Sequence, residues 1–291
     1  MSTSRLAFAA LFIGATAIGF APLFVRLSEV GPCATAFYRL LFALPALWLW
    51  MTLEPANGRA TRRPSTEKDL LKLALTGLFF TADLGLWHWS LRLTNVANST
   101  IGARLLFQEQ ITGLFVTGMI LAMAGAALLV GGSFELSARH VLGDALALST
   151  AISWAAYMLM VKHLRRSFST ATIMSCSGVV ACAGFWVIAW VSREMLVPLS
   201  AKGWLAVVAL AFISHVGGQT LITYAFGHLP ASFTAITLLW QPVVAALAAW
   251  VALSEPLSKM QIIGGTVVLL GVGLARGTVG EQARPNPERC S

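Results

Sequence analysis

The stretch "NVANSTIGARLLFQEQITG", residues 95–113, lies between two long apolar segments and is itself poor in apolar residues. Leu70 to Leu91 before it and Thr112 to Val130 after it are each long enough to cross a bilayer, which takes about 20 predominantly apolar residues. Between them stand two short apolar scraps and two charges, Arg104 and Glu109. How this interval is read fixes how often the chain crosses the membrane, and with that the fold.

Of 291 residues, 57% are hydrophobic and 11% are charged, against about 25% charged in an ordinary soluble domain. Apolar runs of spanning length recur along the whole chain, which defines a polytopic helical membrane protein. A net charge of +8 would suggest nucleic acid as the partner of a soluble chain. Here no nucleic acid is expected, because the positive charge gathers in two short loops and sets orientation. The four cysteines (Cys33, Cys176, Cys182, Cys290) have neither metal spacing nor the density of a disulfide framework. They read as packing residues, and no metal or cofactor is implied. The first apolar run, Leu6 to Val25, is too long for the core of a cleaved signal and reads as the first span.

The expected spans are 5–26, 33–51, 70–92, a doubtful 95–108, 112–132, 143–162, 169–192, 203–226, 231–253 and 260–277. Loop 52–69 carries Arg59, Arg62, Arg63 and Lys68, and loop 162–168 carries Lys162, Arg165 and Arg166. Both are therefore expected in the cytoplasm. Loop 27–32 has no Lys or Arg and 133–142 has only Arg139. Trp48, Trp50, Trp186, Trp190, Trp204 and Trp250 fall near span ends, as interfacial anchors do. The residues after Arg276, with Pro285 and Pro287 among polar neighbours, read as a disordered tail, 278–291. Two loops on one side require an even number of crossings between them. Without a helix at 95–108 there are three, so topology demands a fourth where the sequence barely supplies one.

An internal repeat measures the deficit. In "QEQITGLFVTGMILAMAGAALLV", Glu109 is followed by Gly118 and Gly125; in "SEPLSKMQIIGGTVVLLGVGLA", Glu255 is followed at the same offsets by Gly264 and Gly271. Small residues at helical spacing let helices approach closely. Upstream, "SLRLTNVANST" resembles "AFGHLPASFT", aligning Ala97 with Ala231. Ala231 to Glu255 is 24 residues, whereas Ala97 to Glu109 is 12, so the fourth span is short by about three helical turns. Repeats of five spans, an odd number, must lie in opposite orientations. The expected domains are thus 1–132 (spans 1–5) and 143–277 (spans 6–10). Either the fourth span is a half-span or the sequence omits residues of the full protein. Omission is favoured, because a gap of three turns would leave backbone groups unsatisfied in lipid; an intact mass equal to that of the 291-residue chain would refute it.

Ten spans in two inverted halves, each with the Ala-x-x-x-Thr … Glu … Gly … Gly pattern, resemble the drug/metabolite transporter superfamily and within it the bacterial EamA-type exporters. "GFAPLFVR" closing span 1 and "AFYRLLFALP" in span 2 carry the resemblance as well. "SWAAYMLMVKHLRRSF" in span 6 resembles the corresponding helix of exporters of aromatic amino acids and methyl viologen. The resemblance implies a multi-pass protein of the bacterial inner membrane, monomeric or homodimeric, and the basic loops with the even number of crossings put both termini in the cytoplasm. It also implies that the fourth span lines a central cavity, the place where this sequence departs from the pattern.

Transporter sites lie near the bilayer midplane between repeats, and ionisable residues there are costly and functional by default. Asp83 in span 3 has Trp87 and Ser90 on the same helical face; it is a candidate substrate contact and proton carrier, or a structural partner of an arginine. His215 in span 8 shares a face with Gln219 and Thr223, and either lines the site or hydrogen-bonds a neighbouring helix. Trp154, Tyr157, Trp240 and Gln241 form a second cluster, beside Pro242, which frees a carbonyl near residue 238. They read as a cavity wall or as aromatic core packing. Arg26 and Arg39 fall near span edges, where snorkelling to headgroups explains them, although exporters of this kind often have a basic residue at both positions.

Aromatic walls hold apolar side chains or stack on cations, which favours amino acids or organic cations over nucleotide sugars or lipid-linked substrates. No Gly-x-x-x-x-Gly-Lys-Ser/Thr, HExxH or GxSxG occurs in the chain. The expected function is secondary export of small amphipathic metabolites, amino acids first. A membrane-embedded enzyme and a purely structural subunit are the competing classes.

Overall fold

The computed structural model describes residues 3–54, 63–90, 113–130 and 138–282, without the side chains of 3–4, 86–90, 130, 138–148, 151, 231 and 276–282. The described residues form helices joined by short turns: α1 Thr3–Gly19, α2 Ala21–Leu27, α3 Pro32–Leu53, α4 Glu67–Ser90, α5 Gly113–Val130, α6 Ala138–Leu164 and α7 Thr170–Val191. The chain continues through α8 Ala201–Ala209, a π-helix over Leu210–Gln219, α9 Thr220–Phe226, α10 Ala231–Thr237, α11 Trp240–Leu253 and α12 Lys259–Gln282. Among the described residues, five helical segments are long and apolar enough to cross a membrane: Arg5–Leu27, Pro32–Leu53, Thr170–Val191, Ala201–Phe226 and Ser232–Leu253. Gly113–Leu129 and Lys259–Ala275 are shorter apolar helices. The fourth span expected at 95–108 lies outside the described residues. At the other end, α12 stays helical to Gln282, past Arg276, so its last turns fall where the sequence pattern suggested a tail.

The burial pattern is that of a chain dissolved in lipid. Large apolar side chains such as Leu78, Leu205, Val251 and Leu270 stand exposed on the outside, and the six interfacial tryptophans are exposed as well. Hydroxyls turn inward instead and bond back along their own helices. Thr81 Oγ1 donates to the Gly77 carbonyl at 2.9 Å, Ser177 Oγ to Ile173 at 2.6 Å and Thr237 Oγ1 to Phe233 at 2.9 Å. A hydroxyl satisfied in this way can be buried without a partner helix.

Glycines set the tightest crossings. An added Cβ at Gly118 would lie 2.7 Å from the Gly271 carbonyl oxygen, and one at Gly125 would lie 2.6 Å from that of Gly264. Rising numbers on α5 meet falling numbers on α12, so the two helices cross antiparallel with backbones in contact. The α3–α7 pair is antiparallel too, since Gly178 abuts Leu44 while Phe37 meets Trp186. On α1, Gly14 faces Gly218 of the π-helix, and Ser214 Oγ donates to the Ala17 carbonyl at 2.9 Å.

Proline explains two breaks. Pro242 has no N–H to offer the Leu238 carbonyl. That carbonyl is freed from its usual helix bond, as expected, and the Gln241 N–H takes it at 3.0 Å in a tightened turn before the helix restarts as α11. Pro22 stands in the first turn of α2, just past the break after Gly19, and an added Cβ on Gly19 would meet Val244 of α11.

Several polar ties lace one end of the bundle. Arg26 pairs with Glu255 at 2.8 Å, which corrects the snorkelling expected of it. Glu194 Oε2 accepts the Ala34 N–H at the start of α3, at 2.9 Å. Glu29 accepts the Leu199 and Ser200 N–H groups and, at 2.7 Å, the Ser200 hydroxyl ahead of α8. That hydroxyl bond, backed by the two amides, holds the Glu29 carboxyl below the usual carboxylate range.

Candidate functional site

The site is built where α3, α4, α6 and the π-helix meet. Asp83 is buried on α4 at 7% exposure, Tyr157 on α6 at 3%, His215 and Gln219 on the π-helix at 1% and 3%. Gln219 Nε2 donates to the Tyr157 hydroxyl at 3.0 Å, which ties the π-helix to α6. Phe80, one turn before Asp83, lies 5.1 Å from the Tyr157 ring and 6.1 Å from the His215 ring. Trp154 stacks on Tyr157 with centroids 5.4 Å apart and an interplanar angle of 26°. Thr223 continues the stripe, donating to Met174 Sδ at 3.3 Å. Polar groups from three spans therefore converge on one aromatic-walled spot deep in the bundle.

The π-helix accounts for part of this convergence. Its i→i+5 bonding widens the turn and changes which side chains share a face, a geometry often found at functional sites. Ser214, His215, Gln219, Thr220 and Thr223 are all buried, so the polar stripe runs continuously from the π-helix into α9. Among the described residues, neither ring nitrogen of His215 has a hydrogen-bond partner.

The other residues expected from sequence are placed differently. Trp87 is on α4, with its side chain outside the described residues. Trp240 donates its indole N–H to Thr16 Oγ1 of α1 at 2.9 Å, and the Gln241 backbone carbonyl abuts Gly19. Both belong to the α1–α11 contact rather than to the Tyr157 stack.

Arg39 is the residue the sequence reading misplaced. Its place near a span edge predicts snorkelling to headgroups, yet it is buried at 8% exposure on α3. Its charge lies within electrostatic reach of Tyr157 and His215. Its Nε has no partner, and among the described residues Arg39 makes no ion pair. The available signal was its place in "AFYRLLFALP", inside an apolar run rather than beyond its end. Among the described residues, no group of His, Cys, Asp and Glu could hold a metal ion.

A multi-pass helical membrane protein with a buried polar site between its spans is the class these features define. Residues 141–276 match the family model described as the EamA-like transporter family. A protein of Archaeoglobus fulgidus named "Uncharacterized transporter" is 24% identical over 264 residues, covering 86% of this chain and 89% of that relative. A protein of Escherichia coli K12 named "Probable amino-acid metabolite efflux pump" is 27% identical over 177 residues, covering 57% of this chain and 58% of its own length. A solved crystal structure superposes with a TM-score of 0.77 at 18% identity, covering 95% of this chain and 99% of the other, which shows a shared fold. Residues 141–276 are thus similar to an EamA-like transporter domain, and this match, with the transporter-named relatives, supports an EamA-type protein of the drug/metabolite transporter superfamily. These matches point to a transporter rather than an enzyme.

Proposed function

We propose that this protein is a secondary exporter of small amphipathic metabolites, amino acids first, working by alternating access between two inverted five-helix repeats in a bacterial inner membrane. The observation that carries the reading is the convergence of Asp83, Tyr157, His215 and Gln219, from three separate spans, on one buried spot walled by Phe80 and Trp154. Such a set offers contacts to an amine or a carboxylate and an apolar wall for a side chain.

The glycine crossing supports the repeat. Aligning Glu109 with Glu255 makes Gly118 equivalent to Gly264 and Gly125 equivalent to Gly271. A two-fold operation exchanging the copies then carries the Gly118–Gly271 contact onto Gly125–Gly264, and both contacts are present. The antiparallel α3–α7 pair is the matching arrangement for spans 2 and 7. The basic loops support an orientation with both termini in the cytoplasm. The substrate class is supported by the aromatic wall and by the name of the Escherichia coli relative.

Counterflow of labelled amino acids in proteoliposomes tests the function. Labelled phenylalanine should accumulate transiently in vesicles preloaded with unlabelled phenylalanine. Absence of counterflow across a panel of amino acids and organic cations removes the proposal.

A further inference from the structure

We propose that Arg39 and His215 together form a carboxylate-receiving subsite, so that the ligand of this site is a monocarboxylate with an apolar or aromatic body. The inference rests on the reading of the buried cluster as a ligand site, and it names the end of the ligand that the cluster recognises.

The geometry begins with two buried groups lacking counterparts. Arg39 is a permanent cation with five N–H donors, yet among the described residues it has no ion pair, and its Nε is buried without a partner. Both ring nitrogens of His215 are in the same condition, and this imidazole is 1% exposed. The two groups come from different helices, α3 and the π-helix, which pack directly against each other, and both are buried; they also lie within electrostatic reach of each other. A buried charge without an ion pair is expensive, because desolvation is then only weakly offset inside the protein. Arg39 Nε and the two His215 nitrogens, buried together without hydrogen-bond partners, are groups suited to an anion.

The neighbours narrow the anion to one kind. Tyr157 feels both Arg39 and Asp83, so a carboxylate of the protein itself stands near the same spot. A dianion such as a phosphate monoester would meet that carboxylate with only one permanent cation in its favour. A monocarboxylate matches the guanidinium one for one and fits its bidentate fork. If the ligand also carries an amine, Asp83 is the group placed to receive it. Phe80, Tyr157 and the Trp154 ring stacked on it supply the apolar wall beside these groups.

Four ligands separate the two ends of the molecule: phenylalanine, phenylpyruvate (carboxylate without amine), phenylalaninamide and phenethylamine (amine without carboxylate). Each is titrated against the purified full chain in detergent, with thermal unfolding as the readout. Phenylalanine and phenylpyruvate should both raise the midpoint of the wild type, and the two carboxylate-free analogues should not. In Arg39→Gln the carboxylates should bind about 10- to 100-fold more weakly, the range expected for hydrogen bonds to a charged group. Arg39→Lys, which keeps the charge and loses the fork, should fall between. The unliganded Arg39→Gln protein should unfold no earlier than wild type, since it sheds an unpaired buried charge; a merely structural arginine would show the opposite.

Wild-type affinity of Arg39→Gln for phenylpyruvate overturns the subsite. So does equal binding of phenylalanine and its amide to wild type, and so does failure of both carboxylates to bind. If Arg39→Gln does not fold, Arg39→Lys decides, with equal affinity for phenylalanine and its amide counting against the proposal. Binding of phenylpyruvate without counterflow of any amino acid upholds the subsite while removing amino-acid export. Counterflow that survives Arg39→Gln unchanged does the reverse.

Discussion

Two glycines on α12, two positions apart, should respond to alanine in opposite ways. An added Cβ at Gly271 would lie 2.5 Å from the Gly118 carbonyl oxygen and closer still to the Ala122 amide nitrogen. Ordinary contact between a carbon and a carbonyl oxygen is about 3.3–3.6 Å, so α5 and α12 must part by about 1 Å locally. Both obstructing atoms are backbone and cannot swing aside. Overpacking of this kind costs about 1–3 kcal/mol, and a gap of about 0.5–1 Å along the crossing forfeits a quarter to a half of the dispersion attraction there. Gly273 has nothing within 4 Å of the same construction, so alanine adds no clash. It should gain up to about 1 kcal/mol of helix propensity. Gly271→Ala and Gly273→Ala should therefore differ by about 1–4 kcal/mol in equilibrium unfolding in detergent micelles. If the two variants agree within about 0.5 kcal/mol, the size of an ordinary surface effect, the backbone contact assigned to this crossing is wrong.

Further tests address site and topology. Trp154→Ala should reduce counterflow by removing the ring stacked on Tyr157, whereas Trp240→Ala should act through the lost bond to Thr16; if both variants transport normally, these aromatics serve packing alone. Should Asp83 carry a proton during transport, a pH gradient should drive wild-type flux and Asp83→Asn should abolish that response while exchange persists. Wild-type flux indifferent to the gradient would leave Asp83 as a polar contact only. Cysteines placed at Arg63 and Arg166 should resist an impermeant maleimide added outside intact cells; labelling of either one contradicts the cytoplasmic assignment of its loop.

Most helices were legible because lipid imposes length and apolarity directly on sequence. Pro32–Leu53, Thr170–Val191 and Ala201–Phe226 lie within a few residues of the expected spans. The break before α11 was legible for a local reason, since Pro242 lacks the amide whichever helix packs beside it. Arg39 was not legible. Its position near one end of a span is compatible with snorkelling, and only the packing of α3 against α7 and the π-helix decides that the side chain turns inward. The π-helix left no signature beyond polar residues and the Gly217–Gly218 pair. Its bonding pattern goes with its packing on α1, where Gly14 and Ala17 meet Gly218 and Ser214. Sequence spacing did group His215 with Gln219 on one face, but it could not show that Tyr157 would complete the contact or that Trp240 would turn to Thr16.

The ties at one end of the bundle differ in mechanical kind from the α5–α12 crossing. Arg26 and Glu255 stand 58% and 52% exposed, and the Glu29 bonds to Leu199 and Ser200 are exposed as well. Water competes for every one of these groups, and an exposed ion pair such as Arg26–Glu255 is worth about 0–1 kcal/mol. The crossing has no such substitute, because separated backbones in lipid find nothing to replace their contact. One end is closed by a clasp and the other contact works as a weld. If the halves rock as proposed, the Arg26–Glu255 pair can be undone and refastened at small cost, its two charges passing between each other and water.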